Sequence, residues 1–191
     1  MALVLASASP RRKELLEMLG VRGFAVMPAP NGEETPPAGL SPAETVKFIA
    51  LGKARAVAAL RPPEDTVIAA DTLVYLGDEH LGKPSCEEDA RRMLRMLSGR
   101  EHTVYTGLAV ISGGEVKTRA VATDVSFREL TEGEIERYVA SGEPMDKAGA
   151  YGAQGRAAVF IRGISGDFFN VVGLPLCALS EILDGFGVEL A

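Results

Sequence analysis

Short apolar runs alternate along the chain with stretches whose apolar residues recur at helical spacing. The runs predict strands, which we expect at residues 3–6, 24–27, 66–70, 102–112, 115–127 and 157–162. Gly113 and Gly114 stand between the two longest runs, a pattern typical of a β-hairpin. Because strand and helix signals alternate, the sequence predicts an α/β fold.

Helix beginnings are marked by residues that can cap the first backbone N–H groups. Ser9 is followed by a proline, and Ser41, Ser85 and Thr131 are each followed three residues later by a glutamate. Proline is favoured at the first helical position, and the serine or threonine spacing is that of a capping box. We therefore expect helices to begin at these four points, and a last helix over residues 174–183.

Composition narrows the class of protein. The chain has 191 residues and a net charge of -6, which suits one domain over residues 1–191. A negative chain has no global basic field, so we expect no nucleic-acid partner. No apolar run approaches the ~20 residues that span a membrane. Cys86 and Cys177 are expected to be free thiols in a reducing compartment, which favours the cytoplasm.

Hydroxyls and guanidiniums cluster between the first predicted strand and helix. Ser7, Ser9, Arg11 and Arg12 lie there. A helix N-terminus binds anions through its free N–H groups, and these side chains add donors that fit phosphate oxygens. Cations at this end oppose the helix dipole, a cost that an arriving anion removes. Phosphate binding is therefore favoured over an ordinary N-cap with solvated basic residues.

Carboxylates are the second candidate group. Asp71 and Thr72 follow the run 66–70, so the sequence places them at a strand end, where α/β sheets bind ligands. A carboxylate there can hold a metal or act as a base, although a turn-capping aspartate fits equally well. Glu33 and Glu34, in a proline-rich loop, become ligand candidates only if they converge on Asp71.

Isolated lysines and one long loop complete the candidates. Lys53 lies close to the apolar stripe of a predicted helix, and Lys83 lies in a Gly-Lys-Pro segment. Residues 143–155 are predicted to be a structureless, glycine-rich stretch, and loops of that length are usually functional or disordered. Gln154 in this stretch could read a base edge, because an amide presents a donor and an acceptor. A structural loop whose glycines serve turns is the alternative.

Five segments, in order, resemble the Maf family over essentially the whole chain. They are LASASPRR (5–12), AADTLV (69–74), GKP (82–84), EPMDKAGAYGAQG (143–155) and NVVGLPL (170–176). The resemblance implies an elongated mixed β-sheet flanked by helices, with two lobes and a central cleft, as in inosine triphosphate pyrophosphatases. It also implies hydrolysis of a nucleoside triphosphate between the α- and β-phosphates, with Mg²⁺ or Mn²⁺ as cofactor.

The resemblance also implies roles for particular residues. It makes Asp71 the catalytic base and a metal ligand, with Glu34, or less certainly Glu33, as the further acidic ligand. It assigns catalytic and phosphate-binding roles to cations and hydroxyls at Lys53, Lys83, Arg11, Arg12, Ser7 and Ser9.

The family divides by substrate at three positions, which here carry Arg11, Thr72 and Gln154. This set resembles the branch that acts on dTTP and UTP, whereas the branch acting on 7-methyl-GTP would have Trp, Gln and Glu. The sequence therefore predicts a dTTP/UTP pyrophosphatase, with modified pyrimidine nucleotides as further candidate substrates.

Two alternatives stay open at this point. Maf proteins have also been regarded as inhibitors of septum formation, so a nucleotide-binding regulator of cell division is one alternative. The other is a pyrophosphatase for 7-methyl-GTP or modified purine triphosphates, which the three substrate positions disfavour. The predicted partner is a small-molecule nucleoside triphosphate, with no membrane partner, and a homodimer is compatible with the sequence.

Overall fold

A computed structural model of the protein describes residues 1–30 and 35–190. Its strands are β1 (Leu3–Leu5), β2 (Ala25–Val26), β3 (Thr66–Leu76), β4 (Glu79–Leu81), β5 (Glu101–Ser112), β6 (Glu115–Phe127) and β7 (Ile161–Ser165). Its α-helices are α1 (Pro10–Met18), α2 (Pro42–Ala58), α3 (Glu87–Leu97), α4 (Glu132–Val139), α5 (Phe168–Val172) and α6 (Leu176–Asp184).

Within the described residues the seven strands form one mixed sheet, in the order β2-β1-β3-β5-β6-β7, and β4 pairs with β3 outside this path. Strand β1 is parallel to both β2 and β3, whereas β4 and β7 are antiparallel to their partners. Gly113 and Gly114 join β5 to β6, which are neighbours in the sheet, so the predicted hairpin is present. The predicted α/β fold is therefore confirmed.

Strand β3 runs farther than the sequence predicts. The apolar run was expected to end in front of Asp71, but the strand continues through it to Leu76, so that prediction was wrong. The strand has three partners: the parallel register with β1 ends at Ile68, antiparallel pairing with β4 begins at Val74, and β5 is its other neighbour in the sheet. Asp71 lies between these two pairings, three residues beyond the end of the β1 register.

Two other sequence predictions are corrected near the end of the chain. The expected strand over residues 157–162 is instead a 3₁₀-helix over Arg156–Phe160, and β7 begins only after it. Ala157 and Phe160, the buried residues of that helix, are three apart and share one side of a three-residue turn. The stretch 143–155, predicted to be structureless, contains two 3₁₀ turns, at Glu143–Asp146 and Ala148–Ala150.

Local capping signals predict helix beginnings well. Ser41 and Thr131 each accept a hydrogen bond from the backbone N–H three residues later, and both capping boxes are complete. Helix α3 begins one residue later than expected, with Cys86 as its N-cap. The backbone N–H and the hydroxyl of Ser85 both donate to the carboxylate of Asp89 instead.

The chain divides into two compact units. Unit 1 comprises Met1–Asp71, Thr106–Val121 and Gly173–Ala191, and unit 2 comprises Thr72–Tyr105 and Ala122–Val172. In unit 1, Ala50, Ala54 and Val57 of α2 pack against β1 and β3. In unit 2, the apolar faces of α3 and α4 share a core with β3, β5 and β6. No helix of residues 1–30 and 35–190 is long and apolar enough to span a bilayer.

Helix α2 lies directly on the sheet of unit 1 at Gly107. A methyl group at this position would overlap the backbone carbonyl of Val46, so only glycine permits the close approach. Lys53 lies seven residues after Val46, about two helical turns along α2. The close approach therefore positions Lys53 over β3.

Candidate functional site

Asp71 and Lys53 form a partly buried ion pair in unit 1. The Lys53 Nζ lies 2.6 Å from Asp71 Oδ1, and the two side chains are 17% and 8% exposed. The other carboxylate oxygen, Oδ2, is buried and has no hydrogen-bond partner within the part of the chain that the structure describes. A buried oxygen without a partner is costly, so Oδ2 is a favourable place for a cation or a water proton.

The alternation of β3 explains why this pair forms. Val67 and Ala69 belong to the apolar cluster beneath α2. Because strand side chains alternate with a period of two, Asp71 points to that same face. Lys53 lies on α2 between Ala50 and Ala54, which are fully buried in the same cluster. The apolar face of α2 that packs on the sheet therefore places Lys53 against Asp71, which lies on the same face of β3 as Val67 and Ala69.

A second group of polar side chains surrounds the N-terminus of α1. Ser9 is the N-cap, and its side chain makes no capping hydrogen bond to the described residues. The hydroxyl oxygen of Ser7 accepts from the Ser9 N–H and from Arg12 Nη1, both at 3.2 Å. Arg12 Nε donates to the carbonyl oxygen of Gly173 at 2.8 Å. These contacts fix the Arg12 guanidinium at the helix N-terminus, beside the half-buried Arg11.

Parallel pairing brings the two groups to the same end of β1. The Ala6 N–H donates to the Ile68 carbonyl at 2.7 Å, which is the last contact of the pair. Ser7 follows immediately in one chain segment, and Asp71 follows three residues later in the other. The hydroxyl, the guanidinium and the ion pair therefore lie at the carboxyl end of this parallel pair, the end at which α/β sheets bind ligands.

The other candidate residues belong to unit 2. Lys83 is exposed in the segment after β4, and Gln154 is exposed in the stretch 143–155. The Gly149 N–H donates to the Gly82 carbonyl at 3.1 Å. This hydrogen bond joins the Lys83 segment to the stretch that carries Gln154.

Thr72 lies on the face of β3 that packs against the stretch 143–155. As the residue after Asp71 in an extended strand, Thr72 points to the opposite face of β3, the face of Val74. Val74 packs against the stretch, since a methyl group on Gly149 would lie 3.1 Å from Val74 Cγ1. Thr72 therefore lies on the face of β3 that contacts the glycine-rich stretch, whereas Asp71 lies on the face that contacts α2.

The remaining predicted site residues are the two candidates for the further acidic metal ligand. Glu33 and Glu34 lie outside the described residues. Among residues 1–30 and 35–190, no three His, Cys, Asp or Glu side chains form a group that could hold a metal ion. At this end of β1 the candidate ligand atom is Asp71 Oδ2, which has no hydrogen-bond partner among the described residues.

Sequence reasoning missed Glu143, whose carboxylate organises the stretch 143–155. The Tyr138 hydroxyl donates to Glu143 Oε1 at 3.1 Å, and the Arg156 N–H donates to both carboxylate oxygens, at 3.1 and 3.2 Å. Burial, with the nearby Glu143 charge, raises the pKa of Tyr138, which keeps its hydroxyl a donor. Gly155 packs against this carboxylate, which a methyl group at that position would overlap unless the Glu143 side chain moved.

A buried His102–Tyr151 pair was also missed. His102 Nε2 lies 2.7 Å from the Tyr151 hydroxyl, and the His102 ring packs edge-on against Phe127 with the ring centroids 5.1 Å apart. Burial lowers the pKa of His102 to about 4 and raises the pKa of Tyr151. Both side chains are therefore neutral at pH 7, which suits a structural role better than proton transfer.

Sequence comparisons cover nearly the whole chain. A profile of the family described as Maf-like protein matches residues 2–186. A protein of Pelotomaculum thermopropionicum named dTTP/UTP pyrophosphatase is 53% identical over 191 residues, covering 98% of both chains. A protein of Moorella thermoacetica with the same name is 54% identical over 191 residues, covering 98% of this chain and 96% of the relative.

Structural comparisons agree on the fold. The Ham1 protein of Coxiella burnetii superposes with a TM-score of 0.57 at 17% identity, covering 97% of this chain and 99% of that one. The Ham1 protein of Staphylococcus aureus gives a TM-score of 0.55, also at 17% identity, with coverage of 97% and 99%. At this identity the likeness concerns the fold alone, and it confirms the predicted mixed sheet flanked by helices.

Proposed function

The chain belongs to the Maf-like protein family, and from that membership we propose that it hydrolyses dTTP and UTP to the monophosphate and pyrophosphate. The relatives named above carry that activity in their names at 53% and 54% identity. The structural observation that carries the proposal is the partly buried Lys53–Asp71 pair, which lies at the same end of β1 as the N-terminus of α1.

In this proposal the N-terminus of α1 binds phosphate. Arg12 is held by Ser7 and Gly173, so its guanidinium is oriented before any ligand arrives. The positive end of the helix dipole adds to the attraction. The resemblance to Maf proteins adds Ser9 and Lys83 as further phosphate-binding residues. Together these groups would stabilise the charge that develops on the departing pyrophosphate.

Asp71 is the proposed base. Lys53 engages Oδ1, which fixes the carboxylate and leaves Oδ2 to accept a proton from water. The water oxygen forms a bond to the α-phosphorus, and the bond from that phosphorus to the oxygen bridging to the β-phosphorus breaks. The electron pair of the broken bond leaves on pyrophosphate, and the proton passes to Asp71.

A divalent cation is part of the proposal. Hard cations such as Mg²⁺ take carboxylate oxygens, and the buried Oδ2 of Asp71 fits that preference. One oxygen carries two lone pairs, so Oδ2 can ligate a cation and also accept a hydrogen bond. We assign the second ligand to Glu34, with Glu33 as the alternative. When bound, Mg²⁺ or Mn²⁺ would neutralise phosphate charge and polarise the phosphoryl group.

Base recognition is assigned to Gln154 and Thr72, supported by Arg11. A uracil or thymine edge offers two carbonyl acceptors and one N–H donor, which an amide and a hydroxyl can match. A glutamate would instead suit the donor-rich edge of guanine. Polar groups that fit one base are left unpaired by another, and this mismatch gives a large part of discrimination.

The proposal also covers the domain organisation of the chain and the cellular compartment in which it acts. We treat residues 1–191 as one nucleotide pyrophosphatase domain, because a single family profile covers residues 2–186. We assign the activity to the cytoplasm, where exposed free thiols persist, and Cys86 and Cys177 are both free and exposed.

A substrate panel tests the proposal. Pyrophosphate release would be measured for dTTP, UTP, dCTP, dATP, GTP and 7-methyl-GTP, with Mg²⁺ or Mn²⁺ present. We expect kcat/KM to be highest for dTTP and UTP. A preference for 7-methyl-GTP would overturn the proposed roles of Thr72 and Gln154, but the proposal that the protein is a pyrophosphatase would stand. Nucleotide binding without any pyrophosphate release would instead favour a regulatory protein.

A further inference from the structure

We infer that Glu143 is a positioning residue for base recognition. Its carboxylate holds the segment 152–156, and Gln154 lies at the middle of that segment. The inference rests on the proposed function, because it takes Gln154 to be a residue that reads the base. Glu143 itself is assigned no contact with the nucleotide.

The segment is fixed at both of its ends by one pair of side chains. The Gly152 N–H donates to the Tyr138 hydroxyl oxygen at 3.2 Å. The Arg156 N–H donates to the Glu143 carboxylate, which also accepts the Tyr138 hydroxyl proton. Gln154 is two residues from each anchored amide, so the Tyr138–Glu143 pair restrains its backbone on both sides.

The glycines on either side of Gln154 show how closely the segment wraps around Glu143. At Gly155 a methyl group would overlap the Glu143 carboxylate. At Gly152 it would lie 2.7 Å from Lys147 Cε. Lys147 Nζ in turn donates to the Glu143 carbonyl oxygen at 2.6 Å. Both glycines therefore lie against the side chains of Glu143 and Lys147, and the Gly155 N–H also closes a turn on the Gly152 carbonyl at 3.0 Å.

Holding the segment is useful because Gln154 is exposed. An exposed side chain on an unrestrained loop must be ordered when ligand binds, which weakens binding. Anchoring the backbone on both sides removes much of that cost in advance. Precise placement also matters, since a displacement of about 1 Å can cost ~10²-fold in rate. Loss of the anchor should therefore act on substrate binding and selectivity.

Enzyme kinetics with four variants test this inference. We compare Glu143→Ala, Glu143→Gln, Gln154→Ala and the double variant Glu143→Ala/Gln154→Ala, using UTP and dTTP. Glu143→Ala should raise KM about tenfold, the effect of losing hydrogen bonds to a charged group, with a smaller change in kcat. Glu143→Gln should largely restore KM, because its amide oxygen can take the place of Oε1. The double variant should be no worse than Gln154→Ala, because Glu143 acts through Gln154.

A matched control is Glu132→Ala. Glu132 is another glutamate of this region, but it pairs with Arg95 on the surface, with 66% of its side chain exposed. That variant should leave KM unchanged. Wild-type KM in a folded Glu143→Ala variant would overturn the inference. Multiplicative effects on KM in the double variant would also overturn it, because they indicate that Glu143 acts independently of Gln154. A Glu143→Gln variant as impaired as Glu143→Ala would overturn it too, because it indicates that the charge of Glu143 is what matters.

Hydrogen exchange separates this inference from the proposed function. Removal of Glu143 should accelerate exchange of the Arg156 amide, whereas Glu132→Ala should not. If the wild type fails to hydrolyse UTP and dTTP, the proposed function falls and exchange still tests the anchoring. If Glu143→Ala does not fold, Tyr138→Phe removes the hydroxyl that accepts from the Gly152 N–H and donates to Glu143, and faster exchange at Gly152 with a raised KM is expected. Unchanged exchange in the folded variants would overturn the anchoring.

Discussion

Acidification should destabilise the protein through His102, and the size of the effect follows from burial of this side chain. The pKa of His102 in the folded protein is lowered from 6.5 to about 4 by burial. Between these two values the unfolded chain binds a proton that the folded protein does not bind. The contribution of His102 to the free energy of unfolding is therefore fully present above pH 6.5 and is lost as the pH falls from 6.5 towards 4.

The magnitude comes from the difference between the two pKa values. At about 1.4 kcal/mol per pKa unit, a lowering from 6.5 to about 4 corresponds to roughly 3 kcal/mol. For a chain of this size, that loss would lower Tm by roughly 6–12 °C. The contacts agree with a neutral ring, because Nδ1 is buried with no hydrogen-bond partner among the described residues. Protonation would place an uncompensated charge there.

The assay is urea unfolding at several pH values between 7.5 and 4.5. The chain has no tryptophan, so far-UV circular dichroism is the suitable signal. We compare the wild type with His102→Gln, which retains a hydrogen-bonding group for Tyr151 but does not titrate. His80→Gln is the matched control, because His80 is the other histidine of the chain and is exposed. Parallel loss of stability in wild type and His102→Gln would refute the reasoning.

Three further predictions follow from the site and the sheet. Asp71→Asn should lower kcat for dTTP ~10²–10⁴-fold while circular dichroism shows an intact fold, and near-normal turnover would remove Asp71 from its role. Exhaustive EDTA treatment should abolish turnover and added Mg²⁺ or Mn²⁺ should restore it, so activity that survives chelation would leave Glu34 without a function. Gly107→Ala should lose about 1–3 kcal/mol of unfolding free energy by overlapping Val46, measured by urea unfolding. Gly163→Ala, with nothing within 4 Å of the added methyl group, should not change it.

Local signals were predictable from the sequence because their partners lie within one turn. The capping boxes at Ser41 and Thr131 each involve residues three apart, and both are present. The extent of β3 was not predictable in this way. It depends on β1, β4 and β5, which all pair with the strand, and such pairing partners leave no mark on the run 66–70 itself.

The candidate site shows the same division. Its candidate residues could be picked out from the sequence, since Asp71, Lys53 and Arg12 were all singled out, and their roles stay predictions. Their pairing could not, because Lys53 and Asp71 are 18 residues apart and meet only through the packing of α2 on the sheet. Glu143 was missed because a single glutamate in a glycine-rich stretch resembles a solvated one. Its role depends on Tyr138 and Arg156, which come together only in the fold.

Isotope incorporation during a single reaction tests the central claim most directly. Purified protein would be incubated with dTTP and a divalent cation in ¹⁸O-enriched water, and the products would be identified by mass spectrometry. Attack on the α-phosphorus predicts equal amounts of dTMP and pyrophosphate, with one ¹⁸O atom in the phosphate of dTMP and none in pyrophosphate. Release of dTDP and orthophosphate, or ¹⁸O found in pyrophosphate, would contradict the account.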